Sequence, residues 1–256
     1  LYIYKLFLHK ITDLIPNLEF LKNCEQEDLK TLAEILIYDK DGKRRWTQGL
    51  AKDSRYRTCY NDYQSAWSVI AGELQQFGGD SLLNMARLGR GVTYREILID
   101  VAKKMRVNFN KKSTTEKIEM NLIMKVVEDA LEKMSEEDKR EIVKEMKLDV
   151  EQITTQVIIA TLQTAIRMGG FRSYQLALII ANSISKVMLG RGLAVATNAG
   201  LARALSIFAG PIGITINVIL TIPLFTGPAY RATIPATIQV AYMRQKMLHG
   251  TEGESS

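Results

Sequence analysis

Residues 152–251 form a run of one hundred positions without a single Asp or Glu. Eight cations sit in that run: Arg167, Arg172, Lys186, Arg191, Arg203, Arg231, Arg244 and Lys246. The rest is mostly Ala, Ile, Leu, Val, Gly and Thr, with four of the five prolines of the chain. Within such a run no pair of carboxylates can do acid–base work, and no carboxylate cage can hold Mg²⁺ or Ca²⁺. The cations must find their counter-charges elsewhere: on residues 1–151, where 26 acids and 26 bases balance, or on an anionic surface outside the protein. The overall formal charge of +6 therefore comes from the acid-free run alone. This sets a boundary near residue 150 between two unlike halves.

Several kinds of chemistry find no footing. The chain has two cysteines, Cys24 and Cys59, and two histidines, His9 and His249, too few for the usual zinc sites, and no metal ligands are assigned. This cysteine usage fits a reducing cytoplasm. No G-x-x-x-x-G-K-[ST] loop and no G-x-S-x-G elbow is present. The pairs and triplets GGDS (78–81), GRG (89–91) and GRG (190–192) read as helix stops. No catalytic residue and no cofactor is assigned. Glu73, Asp80 and Glu96 are the acids an enzyme would have to bring toward Arg191 or Arg231, and each serves equally well as a cap or surface group. The cations of the acid-free run are spaced about one per twelve residues with few aromatics, which argues against nucleic acid.

The pattern predicts helices throughout: an all-α multi-helix bundle with an apolar, Gly/Pro-punctuated C-terminal region. The opening sixteen residues are interrupted by Lys5, His9, Lys10 and Asp13 and do not read as a signal peptide. Asn17 is placed to cap a short helix over 18–24, and 26–37 repeats Leu29, Leu32, Ala33 and Leu36 at helical spacing. DKDG (39–42) is a turn lacking the later ligands of a calcium loop, and Lys43-Arg44-Arg45 reads as a solvated face. A helix is expected over 60–77, and another over 82–88 capped by Asp80 or Ser81. Thr93-x-x-Glu96, Ser113-x-x-Glu116 and Ser135-x-x-Asp138 are read as capping boxes. The second opens a helix over 114–134 with Ile118, Leu122, Val126, Ala130 and Met134 on one stripe. Beyond 150, helices are expected over 151–168, 172–189 and 193–208, the last stopping at Gly210-Pro211. A short apolar segment and a final helix containing Pro235 follow. The units are a 1–16 extension, a 17–58 helical hairpin, a 59–150 charge-balanced region, the 151–248 apolar region and a disordered 249–256 tail.

Between Arg203 and Arg231 lie 27 uncharged residues, long enough to cross a bilayer but divided by Gly210-Pro211, Pro223 and Gly227-Pro228. Three readings follow: a buried core helix, an interfacial hairpin or a kinked span. Gly192, Ala196, Gly200 and Ala204 recur every four residues and are expected to share a helix-contact face. Arg191, Arg203, Tyr230 and Arg231 flank the uncharged stretch and are the candidate binding residues. The expected partner is another protein or an anionic membrane surface, and the expected location is cytoplasmic, peripheral at the inner membrane.

The stretches LEFLKNCEQEDLKTLAEIL, DKDGKRRW, IAGELQQFGGDSLLNMARLGRGVTYREILIDVAKKM, AIRMGGFRSYQLALIIAN, FAGPIG and GPAYRATIPATIQVAYMR resemble the uncharacterised bacterial YaaW-like family over about residues 17–248. That family is grouped, on weaker similarity, with the mitochondrial ubiquinol–cytochrome c chaperone domain, a helical, non-enzymatic assembly factor. The resemblance implies an all-α bacterial protein and a chaperone-like role, and carries over no catalytic residues. A non-enzymatic interaction protein is the reading that follows. Its alternatives are a membrane-inserting, pore-forming-like effector acting through 204–230, and an enzyme with acids from the N-terminal half.

Overall fold

A computed structural model describes residues 17–45, 48–59, 61–79, 92–194, 199–221 and 229–250. The described residues form ten α-helices and no strand, with one isolated bridge between Tyr38 and Arg44. The helices are α1 (Gln26–Ile37), α2 (Ser54–Arg57), α3 (Trp67–Gly79), α4 (Tyr94–Lys104), α5 (Thr115–Leu131), α6 (Glu136–Glu145), α7 (Thr155–Met168), α8 (Phe171–Leu189), α9 (Ala199–Thr221) and α10 (Tyr230–His249). The all-α bundle expected from the sequence is what forms.

Local chemistry fixes most helix starts. The boxes at Thr93/Glu96 and Ser135/Asp138 form reciprocally, each satisfying two N–H groups that a helix leaves orphaned. Three starts differ from expectation. The cap of α5 is Thr114, not Ser113, and its hydroxyl takes the Lys117 N–H. Asn17 caps nothing: its Oδ1 accepts from the Thr115 hydroxyl at 3.0 Å and its carbonyl from Arg244 at 2.7 Å. The helix expected from residue 60 begins at Trp67. Before it, the amide of Gln26 fastens a turn, accepting from Tyr63 N–H at 2.6 Å and donating to Asp62 at 3.0 Å. The expected caps at Asp80 and Ser81, the helix over 82–88 and the GRG stop at 89–91 lie outside the described residues.

Pro211 does not stop a helix. The chain runs on as one 23-residue helix, α9. Proline in a helix interior costs one backbone hydrogen bond and a steric clash, about 3 kcal/mol. Against that, Phe208, Ile212 and Ile216 on its inner side are buried, and each such side chain contributes about 1.5–3 kcal/mol. Burial therefore outweighs the local penalty.

The bundle is organised around α10. Every residue from 232 to 245 is buried, and the helix packs against α1, α3, α4, α5 and α8. Such a helix carries no one-sided apolar stripe, because it has no outer side. The helix before it in the acid-free run, α9, packs chiefly on α5, α6 and α8. Between α7 and α8 the chain turns through Gly169 (φ 74°, ψ −157°) and Gly170 (φ 78°, ψ −161°), a region that only glycine occupies without strain.

Candidate functional site

The cations of the acid-free run answer most directly what the run faces. Five of the eight bond to the N-terminal half. Arg172 donates to the carbonyls of Met146 (2.7 Å) and Lys147 (3.3 Å) just past the end of α6. Arg191 pairs with Glu34 of α1. Arg203 lies 3.7 Å from Glu145. Lys246 sits 2.8 Å from both Asp28 and Glu25. Arg244 is the most enclosed. Its Nε donates to Glu119 Oε2 at 2.8 Å and its Nη2 to Glu119 Oε1 at 3.2 Å. The Tyr94 hydroxyl donates to Glu119 Oε1 at 2.7 Å, and the guanidinium lies 4.1 Å from the centre of the Phe20 ring.

Glu119 is fully buried, and that burial pushes its carboxyl above the ordinary range even with Arg244 beside it. Burial lowers Arg244, but Glu119, with Tyr94 and Glu116, raises it by more. The cluster is a fully bonded internal clamp and presents no atom to a substrate. Beside it, burial pushes the Cys24 thiol up to about 12, which leaves it protonated and inert at neutral pH.

The four candidate binding residues do not converge. Arg191 is drawn to α1 and Arg203 to α6, while the Tyr230 hydroxyl donates to Asp100 of α4 at 2.7 Å. Burial, and then the bond to Asp100, pushes the Tyr230 phenol up to about 12. The Arg231 side chain is exposed, and its carbonyl accepts from Arg45 at 3.0 Å. Arg45, read from the sequence as part of a solvated triplet, is folded inward instead. Burial pulls its guanidinium down to about 10.

The expected helix-contact face also separates. Gly192 precedes α9 in a turn, where the Asn182 Oδ1 takes the N–H of Leu193 at 3.0 Å. A Cβ on Gly192 would lie 2.7 Å from that oxygen, so a larger residue there would push the Asn182 amide off its bond to Leu193. Ala196 lies outside the described residues. Gly200 and Ala204 do share α9, and Ala204 is buried against the bundle. Of the acids an enzyme would need, Glu73 accepts from Gly49 N–H at 2.7 Å and Glu96 is held in its capping box. Asp80 is outside the described residues.

Similarity to known proteins places the chain in a family. It is 42% identical over 241 residues to a UPF0174 protein of Helicobacter pylori strain J99, covering 94% of this chain and 95% of that one. It is 32% identical to the UPF0174 protein YaaW of Escherichia coli K12, over 92% and 96% of the two chains. The chain belongs to the UPF0174 family. Residues 16–46 also match a domain of unknown function, DUF3944. No solved structure matches.

Two surfaces remain open on this UPF0174 chain. One is the outward side of α9. Residues 201–221 are apolar, acid-free and long enough to cross a bilayer, yet 39% of that window is buried in the bundle. Ile214 is 58% exposed and Val218 39%. The other is a groove of about 1040 Å³ between α5, α7, the start of α8 and the end of α10. Sequence reasoning missed the groove, since its residues are dispersed from 106 to 249. The only local signals were the Gly169-Gly170 pair and the nearby Arg167.

Proposed function

We propose that the protein is a non-enzymatic helical protein that attaches peripherally to a membrane through the outward side of α9. The observation that carries this reading is the exposed apolar side of an acid-free 21-residue run whose other side is anchored in the bundle. Ala202, Ser206, Gly210, Ile214 and Val218 lie on the exposed side, and Phe208, Ile212 and Ile216 on the buried one. Arg203 and Asn217 are exposed on the same side; small and apolar residues punctuated by a cation suit an interfacial helix, whereas an isolated exposed valine is ordinary for a soluble surface.

Attachment is apolar first and electrostatic second. Five of the eight cations are engaged inside the protein, and α6, next to α9, exposes Glu136, Glu137 and Glu141. Ile214 and Val218 are already partly covered, so inserting them supplies on the order of 1 kcal/mol each, a weak and reversible contribution. A chaperone-like role rests on the family resemblance alone and adds nothing to this geometry.

Co-sedimentation of the full chain with phosphatidylcholine vesicles, with and without anionic lipid, tests the reading. Wild-type protein is expected to pellet with modest salt dependence, and Ile214→Glu/Val218→Glu to stay in the supernatant with an unchanged melting temperature. Wild-type protein that never pellets would overturn the proposal. Release of an entrapped dye would replace peripheral attachment with insertion.

A further inference from the structure

The groove bounded by α5, α7, α8 and α10 is independent of α9 and has the chemistry of an anion site. Four cations line it, Arg106, Lys117, Lys125 and Arg167, against two carboxylates, Glu116 and Glu128. Lys125 is bound to Asp129 at 2.7 Å. The carboxylates are also occupied: Glu128 accepts from Gln163 at 2.9 Å, and Glu116 lies 3.9 Å from Arg244. Arg106, Lys117 and Arg167 have no ion pair and no side-chain hydrogen bond among the described residues. All three are exposed.

Two further observations point to a ligand. Gln245 is 4% exposed and lines the groove, yet its amide makes no hydrogen bond among the described residues. The amide atoms are not themselves enclosed and reach the open space of the groove, where a ligand oxygen can meet them. The groove also takes in the start of α8, where Gly169 and Ser173 line it. That 19-residue helix has glycine at its N-cap and no side-chain cap; the Ser173 N–H is taken by the Gly170 carbonyl at 3.0 Å, and it is the Ser173 side chain that the helix contributes to the groove. The Ser173 hydroxyl, 2% exposed, is likewise unpartnered. Opposite these polar groups stand Phe109, Met120, Met124, Ile166 and Leu248.

We infer that this groove binds a phosphate monoester carried on an apolar body, its phosphate held by Arg167, Lys117 and Arg106 at the start of α8. Three cations without an ion pair suit a dianionic phosphate better than a single carboxylate. Gln245 donates to the ester or phosphate oxygens, and the Met120–Met124 side receives the apolar part. A free metabolite and a lipid headgroup share this chemistry.

Calorimetric titration of the full chain with 1-naphthyl phosphate, 1-naphthol and inorganic phosphate tests it. Naphthyl phosphate is expected to bind at least about tenfold more tightly than either fragment, since only it engages both the charged and the apolar side. Lys117→Ala/Arg167→Ala should weaken it by about tenfold or more, and Gln245→Leu by a smaller factor. Both cations are exposed, so the double variant should keep its melting temperature. A parallel arm uses phosphatidylcholine vesicles with and without phosphatidic acid, in the Ile214→Glu/Val218→Glu background to remove attachment through α9. Binding in either arm that depends on Arg167 and Lys117 supports the site and identifies its source. Binding in neither arm, or binding that survives the double substitution, overturns it.

Discussion

Helices α9 and α10 come from the same acid-free run and meet opposite surroundings. The more apolar one, α9, keeps one side outside the bundle, with Ile214 and Val218 exposed. The more polar one, α10, is enclosed along fourteen consecutive residues. Segment hydropathy therefore does not decide which helix becomes the core. What decides it is whether the N-terminal half supplies partners. Arg244 and Lys246 are brought inside because Glu119, Asp28 and Glu25 wait for them, whereas Ile214 and Val218 on the outer side of α9 stay exposed among the described residues.

The difference can be broken most forcefully at Arg244. Arg244→Ala strands the buried Glu119, and removing one member of such a pair typically costs about 3–5 kcal/mol. Urea denaturation of Arg244→Ala, with Glu119→Leu/Arg244→Met as a partial rescue, checks it. A loss below about 1 kcal/mol would show that the clamp does not hold α10 in place.

On α9 the expected change has the opposite sign. Pro211→Ala restores a helix-interior hydrogen bond, and stability should rise by about 2 kcal/mol. A drop would show that the proline ring itself is needed where α9 packs on the bundle. A smaller gain is expected inside α10, where both amide atoms of the fully buried Gln239 lack partners. Gln239→Leu should stabilise by about 1 kcal/mol in the same assay.

The last test uses pH. Burial lowers Lys246, but Asp28 and Glu25 together raise it by more, so its folded value stands above the ordinary 10.5. A cation raised in this way contributes stability that is complete below pH 10.5 and lost as the pH climbs through the folded value. Lys246→Met should therefore flatten the alkaline fall of the urea midpoint relative to wild type.

The sequence carried the local part of this structure and little of the rest. The capping boxes at Thr93 and Ser135, the stop at Gly169 and the extent of α1 were legible, because their causes lie within a few residues. Pro211 misled, since its penalty is local and the burial that overrides it is not. The enclosure of α10 was invisible for the same reason: Arg244 and Glu119 are 125 positions apart and leave no pattern in either neighbourhood. The candidate residues Arg191, Arg203 and Tyr230 were chosen for having no local acids, and they found theirs on α1, α6 and α4. The groove was hidden because four separate elements contribute to it.

The position of α10 in chain order has a consequence for how the molecule forms. All the helices that surround it precede it in the chain, so during synthesis they are made before the element that joins them exists. Until then Glu119 and Asp28 lack the Arg244 and Lys246 partners they have in the folded protein, and α1, α3, α4, α5 and α8 lack the helix they pack against. Closing loops as long as the 227 positions between Asn17 and Arg244 makes for slow, non-local folding. The nascent chain is thus a cradle with an open apolar seam, and the seam closes only after the last helix has emerged.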